Sequence, residues 1–532
     1  MARRVSRPAA SRQVRLEPLR RVCPDCERPP HVAYHSHRTV VTLEGLCRLT
    51  LAVRRCHNVA CSRHRRAYRP EEEGLWALPQ GEFGLDVIAL VGALRFGDHR
   101  SVPEIHRALQ GRGVAIAERS VTHLLQRYEE LVALRVTDLT ARRAQFAQQG
   151  RVILALDGLQ PDVGHEVLWV LRDCLSGEVL LARSLLSGTS EDLAVLVTEV
   201  RDALPVPITG VISDGQHPIR EAVRRVLPQA AHQLCQFHYL REAAKPIFEA
   251  DRHAKKELKK RVRGVRPIER ALDGQEGATA SAVRHYCLAV RSALTDDGRP
   301  PLAAAGLTLH KRLAAIAASI ERVASKRGLP RELARLHRLV RRGLTAPATD
   351  WPALRTAYGW VHDAAHLLGN HDNGSGANLR AQYQDLLETM RSERDDLGTL
   401  ASAIDHFEKV TTSYWPGLFH CYDVPDLPRT NNDLEHFFGS ARYHERRASG
   451  RKQAAPSTVV RGAVRLVAAV ATRQRSYSTA DLQLTDRAAW HRLRHALARR
   501  HDARRAQHRF RRDPAAYLAA LEDQILKSAL PP

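Results

Sequence analysis

Residues 151–156 read Arg-Val-Ile-Leu-Ala-Leu, apolar at every position after the first, and the run breaks at Asp157-Gly158. A short run without alternation is the pattern of a strand buried on both faces, and Asp-Gly the signal of the turn that ends it. Residues 166–173 and 178–184 predict two more strands, with Ser176-Gly177 as the turn between them. From Ser190 the spacing becomes helical, through Leu193, Val195, Leu196, Val200 and Leu204. Residues 208–213 form another apolar run ending at Asp214-Gly215; residues 217–227 predict a helix, 232–238 a further strand, and a basic helix follows. Three linked strands and then alternating helices and strands predict an α/β core, a mixed sheet with helices against it.

The flanks are helical. Residues 83–96 place Leu85, Ile88, Ala89, Val91, Leu94 and Phe96 on one face. Ser101-Val102-Pro103-Glu104 has the form of a capping box with proline in the first turn. A short helix to Leu109, a turn at Gly111 and Gly113, and a helix over about 118–134 complete the outline of a helix-turn-helix. The same outline fits a three-helix packing domain without DNA contact. In the first case Ser120, His123 and Arg127 are the candidate contacts. Downstream, residues 246–425 predict an all-α insertion, with a basic stretch at 254–270 carrying Lys255 and Lys259. Residues 459–472 predict an apolar helix and 487–512 an arginine-dense one. The expected organisation is 1–75, 80–145, 150–245 (core, first part), 246–425 (insertion), 426–475 (core, second part) and 476–532 (basic tail).

Charge narrows the function. The 532 residues hold 82 Lys plus Arg against 58 Asp plus Glu, a net +24. Such a surface attracts polyanions, nucleic acid first among them. A ribosomal or membrane-surface protein ranks lower at this length with acids spread throughout. There is no run of about 18 apolar residues to span a membrane. The basic N-terminus has no apolar segment of a secretory signal, so a cytoplasmic, nucleoid-associated protein is expected.

Cysteine usage adds a metal. Of nine cysteines, four make two close pairs, Cys23/Cys26 and Cys56/Cys61, on either side of strand-like segments. Paired cysteines on two turns, joined by a hairpin, are the arrangement of a zinc ribbon, with Zn²⁺ as its ion. The second pair has four residues between its members rather than two, so His35, His37, His57 and His64 remain spare ligands. Cys47 is expected to point into the ribbon's small core. Residues 1–70 carry 16 Arg and 4 acidic residues, so this module is itself strongly basic.

Two acids, Asp157 and Asp214, close the two apolar strands. A third lies in Thr430-Asn431-Asn432-Asp433-Leu434-Glu435, where a proline-rich loop gives way to a helix. Glu435 is the candidate, and Asp433 its nearest rival. Asn432 to Glu435 also has capping-box spacing. The order of elements resembles the RNase H-like fold. The set Leu156-Asp157-Gly158, Ile212-Ser213-Asp214-Gly215, Cys235-Gln236-Phe237-His238 and Asn431-Asn432-Asp433-Leu434-Glu435 resembles the DDE transposases of bacterial insertion sequences, in the group related to Mutator-like and hAT elements. The resemblance spans roughly residues 150–450. It implies that Asp157, Asp214 and Glu435 are metal ligands for two Mg²⁺ (or Mn²⁺) ions. It implies that Cys235 and His238 are the Cys-x-x-His pair that helps to organise the site and flanking DNA. It also implies cleavage at transposon ends, strand transfer into target double-stranded DNA, and a homodimer or higher oligomer. The basic residues Lys255, Lys259, Arg442, Arg446, Arg447, Arg451 and Lys452 are the candidate DNA-binding contacts. A core role is expected for Trp415. Two other readings fit the same residues: a catalytically silent DNA-binding descendant, and a nuclease on the same fold.

Overall fold

Alternation of apolar and polar residues builds the first sheet. The computed structural model describes residues 9–140, 142–160, 166–295, 297–345, 351–450 and 456–528. The fold is mixed α/β and divides into two units, Met1–Ile208 with Asp433–Pro532, and Thr209–Asn432. None of the described helices is long and apolar enough to cross a membrane.

In the first unit, β1 (Arg12–Leu16), β2 (His31–Thr42), β3 (Gly45–Arg55) and β4 (Ala67–Tyr68) form one sheet. β2 and β3 make an antiparallel hairpin, β1 lies parallel along the other edge of β3, and β4 pairs the end of β3. The hairpin turns at Gly45, whose φ of +117° favours glycine. Leu16, Val40, Cys47, Leu49, Leu51 and Ala77 form the small buried cluster beneath it. Cys47 points inward, as its sequence context predicts.

Three helices follow, Leu85–Gly92, Val102–Gln110 and Glu118–Thr137. Ser101 caps the second: its side chain accepts from the Glu104 amide, and the Glu104 carboxylate accepts from the Ser101 amide. The third is not free to lie in a groove along its whole length. Leu131, Val132, Ala133 and Val136 are buried, while Glu118, Arg119 and His123 near its start are exposed. Gly92 decides how closely the first helix meets the third, because a Cβ there would sit 2.2 Å from the Tyr128 ring. Alanine is a better helix former than glycine by about 1 kcal/mol. Gly92→Ala nonetheless lowers stability by roughly 1–3 kcal/mol, the range for overpacking a core. An unchanged or raised melting temperature would refute this.

The central strands are β5 (Val152–Leu159), β6 (Val167–Asp173) and β7 (Val179–Leu185), antiparallel in the order β7-β6-β5. β5 does not stop at Leu156. It runs on through Asp157-Gly158, because Gly158 has no side chain to strike Trp169 and Val167, which lie about 3.1 Å from where its Cβ would be. Asp173 is fully buried and structural: its carboxylate accepts from the amides of Ile153 and Ser176, the Ser176 hydroxyl and Gln149 Nε2. It fixes the β6–β7 turn. Thr189 caps the helix Ser190–Ala203 by accepting from the Asp192 amide, so the acids at 191 and 192 serve a helix start.

Four more helices complete the unit: Asn432–Ser449, Pro456–Gln474, Arg487–Arg512 and Pro514–Ser528. A buried ionic cluster joins three of them to the helix Glu118–Thr137. Glu129 and Glu130 are almost wholly inaccessible. Arg461 donates to both (2.7 and 3.2 Å), and Arg465 bridges Glu129 (3.3 Å) and Glu445 (2.9 Å). Trp490 Nε1 donates to Glu130 at 2.9 Å, and Arg95 pairs with Glu445 at 2.7 Å.

In the second unit β8 (Ile208–Ser213) and β9 (Ala231–Leu234) pair in parallel, linked through the helix His217–Val226. An α-helical region follows, with a core that includes Ile247, Leu309, Leu336, Val361, Tyr383 and Phe407. The basic stretch forms two helices, Lys245–Arg261 and Val265–Arg270, and residues 302–342 divide into Ala305–Ala324 and Arg331–Leu344. Further along, Gly376–Ser392 and Ala401–Tyr414 are separated at Asp395–Leu400, where Gly398 has φ +54°. Inside the core, the Tyr239 hydroxyl bonds to Tyr383 Oη (2.8 Å) and Thr411 Oγ1 (2.7 Å), so these buried hydroxyls satisfy one another.

Candidate functional site

The cysteines gather as predicted. Cys23 and Cys26 sit on one turn, Cys56 and Cys61 on another. The Glu27 amide closes the first on Cys23 O, and the Cys61 amide closes the second on Asn58 O. The sulfur pairs Cys23–Cys61 and Cys26–Cys56 are 3.7 and 3.6 Å apart, and all four sulfurs lie within 4.8 Å of one another. A tetrahedral ion with Zn–S bonds of about 2.3 Å needs sulfurs about 3.8 Å apart, so the cluster can hold zinc. Cys61 is the fourth member of the group, and no histidine belongs to it. The Arg28 backbone, by hydrogen bonding, holds the Cys26 thiol down at about 7. At Cys56 the Asn58 backbone pulls the thiol down, but burial and the neighbouring thiols outweigh it and push it up to about 12. Arg63 on the second turn pairs with Asp25 on the first at 3.0 Å, tying the two together.

Each predicted acid has a defined place. Asp157 lies within β5 opposite Val170, 7% exposed, its Oδ1 accepting from the Gly158 amide at 2.8 Å. Glu435 stands in the first turn of Asn432–Ser449, half-buried beside the buried Leu434 and Phe438, whereas Asp433 is exposed. The helix begins at Asn432. Asp214 directly follows β8 in the second unit. Its carboxylate accepts from the Gln216 amide (3.1 Å) and Nε2 (2.6 Å), and its carbonyl accepts from the Tyr414 hydroxyl (2.9 Å). Gly215 has φ +84°, and a Cβ there would meet the Tyr414 ring at 2.9 Å. Just before it, Ser213 Oγ lies 2.8 Å from His232 Nε2, and burial pushes that imidazole down to about 4.

The Cys-x-x-His pair differs from its expected form. β9 ends at Leu234, and Cys235 is the cap of the helix Gln236–Ala243, with His238 in its first turn. The strand is short because its pairing with β8 runs out: the Cys235 amide bonds to Ser213 O, the last residue of that strand. The buried Cys235 sulfur accepts from the Asn431 amide at 3.3 Å. Gln233 and Gln236, which the sequence did not single out, donate to Leu418 O, and Gln233 also accepts from the Cys421 amide. Residues 418–431 are thereby latched to β9 and its helix.

Residues 206–298 match the family model for Transposase, Mutator family. No curated protein matches the chain. The matched transposase segment begins just before β8 and takes in Asp214, Cys235, His238 and the helix Lys245–Arg261. It supports a transposase function, with DNA as the partner such a function implies.

Within the matched segment, Lys259 is half-buried and lines a cavity of about 340 Å³ with Arg252, Lys256, Lys260 and Arg263. Lys255 does not stand on an open face. It is 5% exposed and pairs with Asp297 at 2.7 Å, a partner too distant in sequence to be foreseen. Of the predicted contacts outside that segment, Arg442, Arg446 and Arg447 are exposed, while Arg451 and Lys452 lie outside the described residues. Arg127 is committed to packing, paired with Glu130 at 2.6 Å and lying 5.8 Å from the Trp490 ring centroid. Ser120 and His123 remain at the surface of their helix. In the arginine-dense helix, Arg500 pairs with Glu166 at 2.6 Å. Trp415 packs edge-on against Phe419 at the margin of the helical core, as expected of a structural tryptophan.

Proposed function

We propose that this chain is a DDE-type transposase that cleaves transposon ends and joins them to target DNA. The observation that carries the reading is the Mutator-family match, because it spans Asp214 and the Cys235-x-x-His238 pair. On this reading β5 to β9 are the strands of an RNase H-like core, and Asp157, Asp214 and Glu435 are its ligands for Mg²⁺ or Mn²⁺. The three side chains fit such ions: carboxylate oxygens are the hard donors Mg²⁺ prefers. Ions held by these three carboxylates would supply the charge that activates a water or 3′-hydroxyl and stabilises the leaving oxygen.

The remaining roles belong to the chain itself. Tyr414 and Gln216 hold the loop that presents Asp214. Cys235 and His238 order the site's surroundings through the 418–431 segment. Residues 1–75, with zinc in the ribbon, and 80–145 bind DNA ahead of the core. Residues 246–425 form the insertion, and 426–475 return to the core with Glu435. Lys259, Arg442, Arg446 and Arg447 contact phosphates. Two ends must be joined, so the working form is a dimer or larger.

The test is a cleavage and joining assay on DNA flanking the gene, with Mg²⁺ or Mn²⁺, comparing the native chain with Asp214→Ala. Joined products that disappear in the variant are the expected result. Cutting without joining would make the chain a nuclease. DNA binding with neither product would make it a silent descendant.

A further inference from the structure

A second pocket lies beside the Asp214 loop, within the second unit. It encloses about 370 Å³ and is lined by Gly215, His217, Arg220, His406, Lys409 and Tyr414. Its shape is fixed rather than fluid. Arg220 lies over the Tyr414 ring at 4.7 Å, and donates through Nε to Gly215 O at 2.6 Å and through a terminal nitrogen to Ser413 Oγ at 3.3 Å. Tyr414 in turn donates to the carbonyl of Asp214. The wall of the pocket and the backbone that presents Asp214 are therefore parts of one hydrogen-bonded unit.

The charge of the pocket is one-sided. Arg220, Lys409, His217 and His406 are cations or become so on protonation, against one acid in the lining, Glu242, which is exposed. Among the described residues Lys409 makes no ion pair, and it is exposed while lining the pocket. A fixed guanidinium beside an unpaired ammonium is a receptor for an anion, and backbone phosphates are read in this way by arginine and lysine. The volume falls in the range of pockets that take a small ligand group rather than a single ion.

We infer that this pocket takes a backbone phosphodiester of the bound DNA, one that flanks the bond presented to Asp214, and so sets the register of the strand against that acid. The inference rests on the DNA-processing reading above and adds a subsite to it.

Lysine acetylation footprinting of the full chain, without divalent metal and read by mass spectrometry, tests it with two probes: a DNA duplex, and inorganic phosphate at matched ionic strength. The expected result is several-fold protection of Lys409 by the duplex and none by inorganic phosphate. Lys326, exposed elsewhere on the same unit, reacts equally throughout. In parallel, Lys409→Gln flattens the dependence of log affinity on log salt by about 0.9, the loss of one phosphate contact, while Lys326→Gln leaves it unchanged. Protection of Lys409 by phosphate alone would make this a free-anion site and overturn the inference. Protection of Lys256 and Lys260 by DNA with Lys409 unprotected would overturn the pocket and leave the DNA reading standing. If DNA protects no lysine, the DNA reading falls and takes the inference with it.

Discussion

A full-length Cys56→Ser chain carries no zinc, where the native chain carries one ion per molecule in a metal analysis. The expectation rests on four sulfurs already spaced for a tetrahedral ion. The effect is large because little else holds the ribbon together. Its own apolar cluster has only a few side chains, and modules of this size rarely stand on so small a core. Structural zinc contributes on the order of 10 kcal/mol in comparable sites, similar to the whole stability of an ordinary domain. Loss of the metal therefore melts residues 23–61 locally and weakens DNA binding, while the helical region of the second unit keeps its circular dichroism. Because the ligands are thiolates, acidification should release the ion as well. A native chain without stoichiometric zinc would refute the site.

The second large effect is Arg461→Met, which should lower stability by about 3–5 kcal/mol, the cost of removing one partner from a buried ionic group. Among the described residues, Arg461 is the one that ion-pairs with both Glu129 and Glu130. Without it Glu129 keeps Arg465 and Glu130 keeps Arg127 and Trp490, but two carboxylates remain buried with less compensation. At roughly 2–4 °C per kcal/mol, the melting temperature falls on the order of 10 °C. Glu129→Gln in the same chain should return part of the loss, since the charge left unpaired is then gone. A melting curve that does not move, or a double variant no better than the single, would sink the account.

Both effects bear on what the sequence discloses. The cysteine pairs, the Ser101 capping box, the apolar strands and the helical character of the second unit are all legible, because each depends on near neighbours. In the sequence Asp157 reads as the end of its strand, because Asp-Gly is a turn signal, whereas β5 continues to Leu159. The Trp169 and Val167 side chains on the next strand show why a glycine is wanted inside β5. Cys235 and His238 read as strand because the four paired residues of β9 and the following helix share one apolar texture. Glu129 and Glu130 look like a solvated helix face until Arg461, more than 300 residues later, is seen beside them. Lys255 misled for the same reason, its partner lying 42 residues away. The roles of the three acids rest on family likeness, since single residues on separate elements carry no spacing for periodicity to read.

The bond from the Tyr414 hydroxyl to the Asp214 carbonyl spans 200 residues of sequence, and this has a consequence for synthesis. While the chain is being made, the loop bearing Asp214 leaves the ribosome long before the tyrosine that steadies it. At about 5–20 residues per second, the interval is on the order of 10–40 s. Throughout it, Gly215 and its neighbours lack their lateral support, and the nascent protein holds an unfinished acid loop. The helical region is thus a timer as well as a scaffold: the acid loop is steadied only when the helix Ala401–Tyr414 has been delivered.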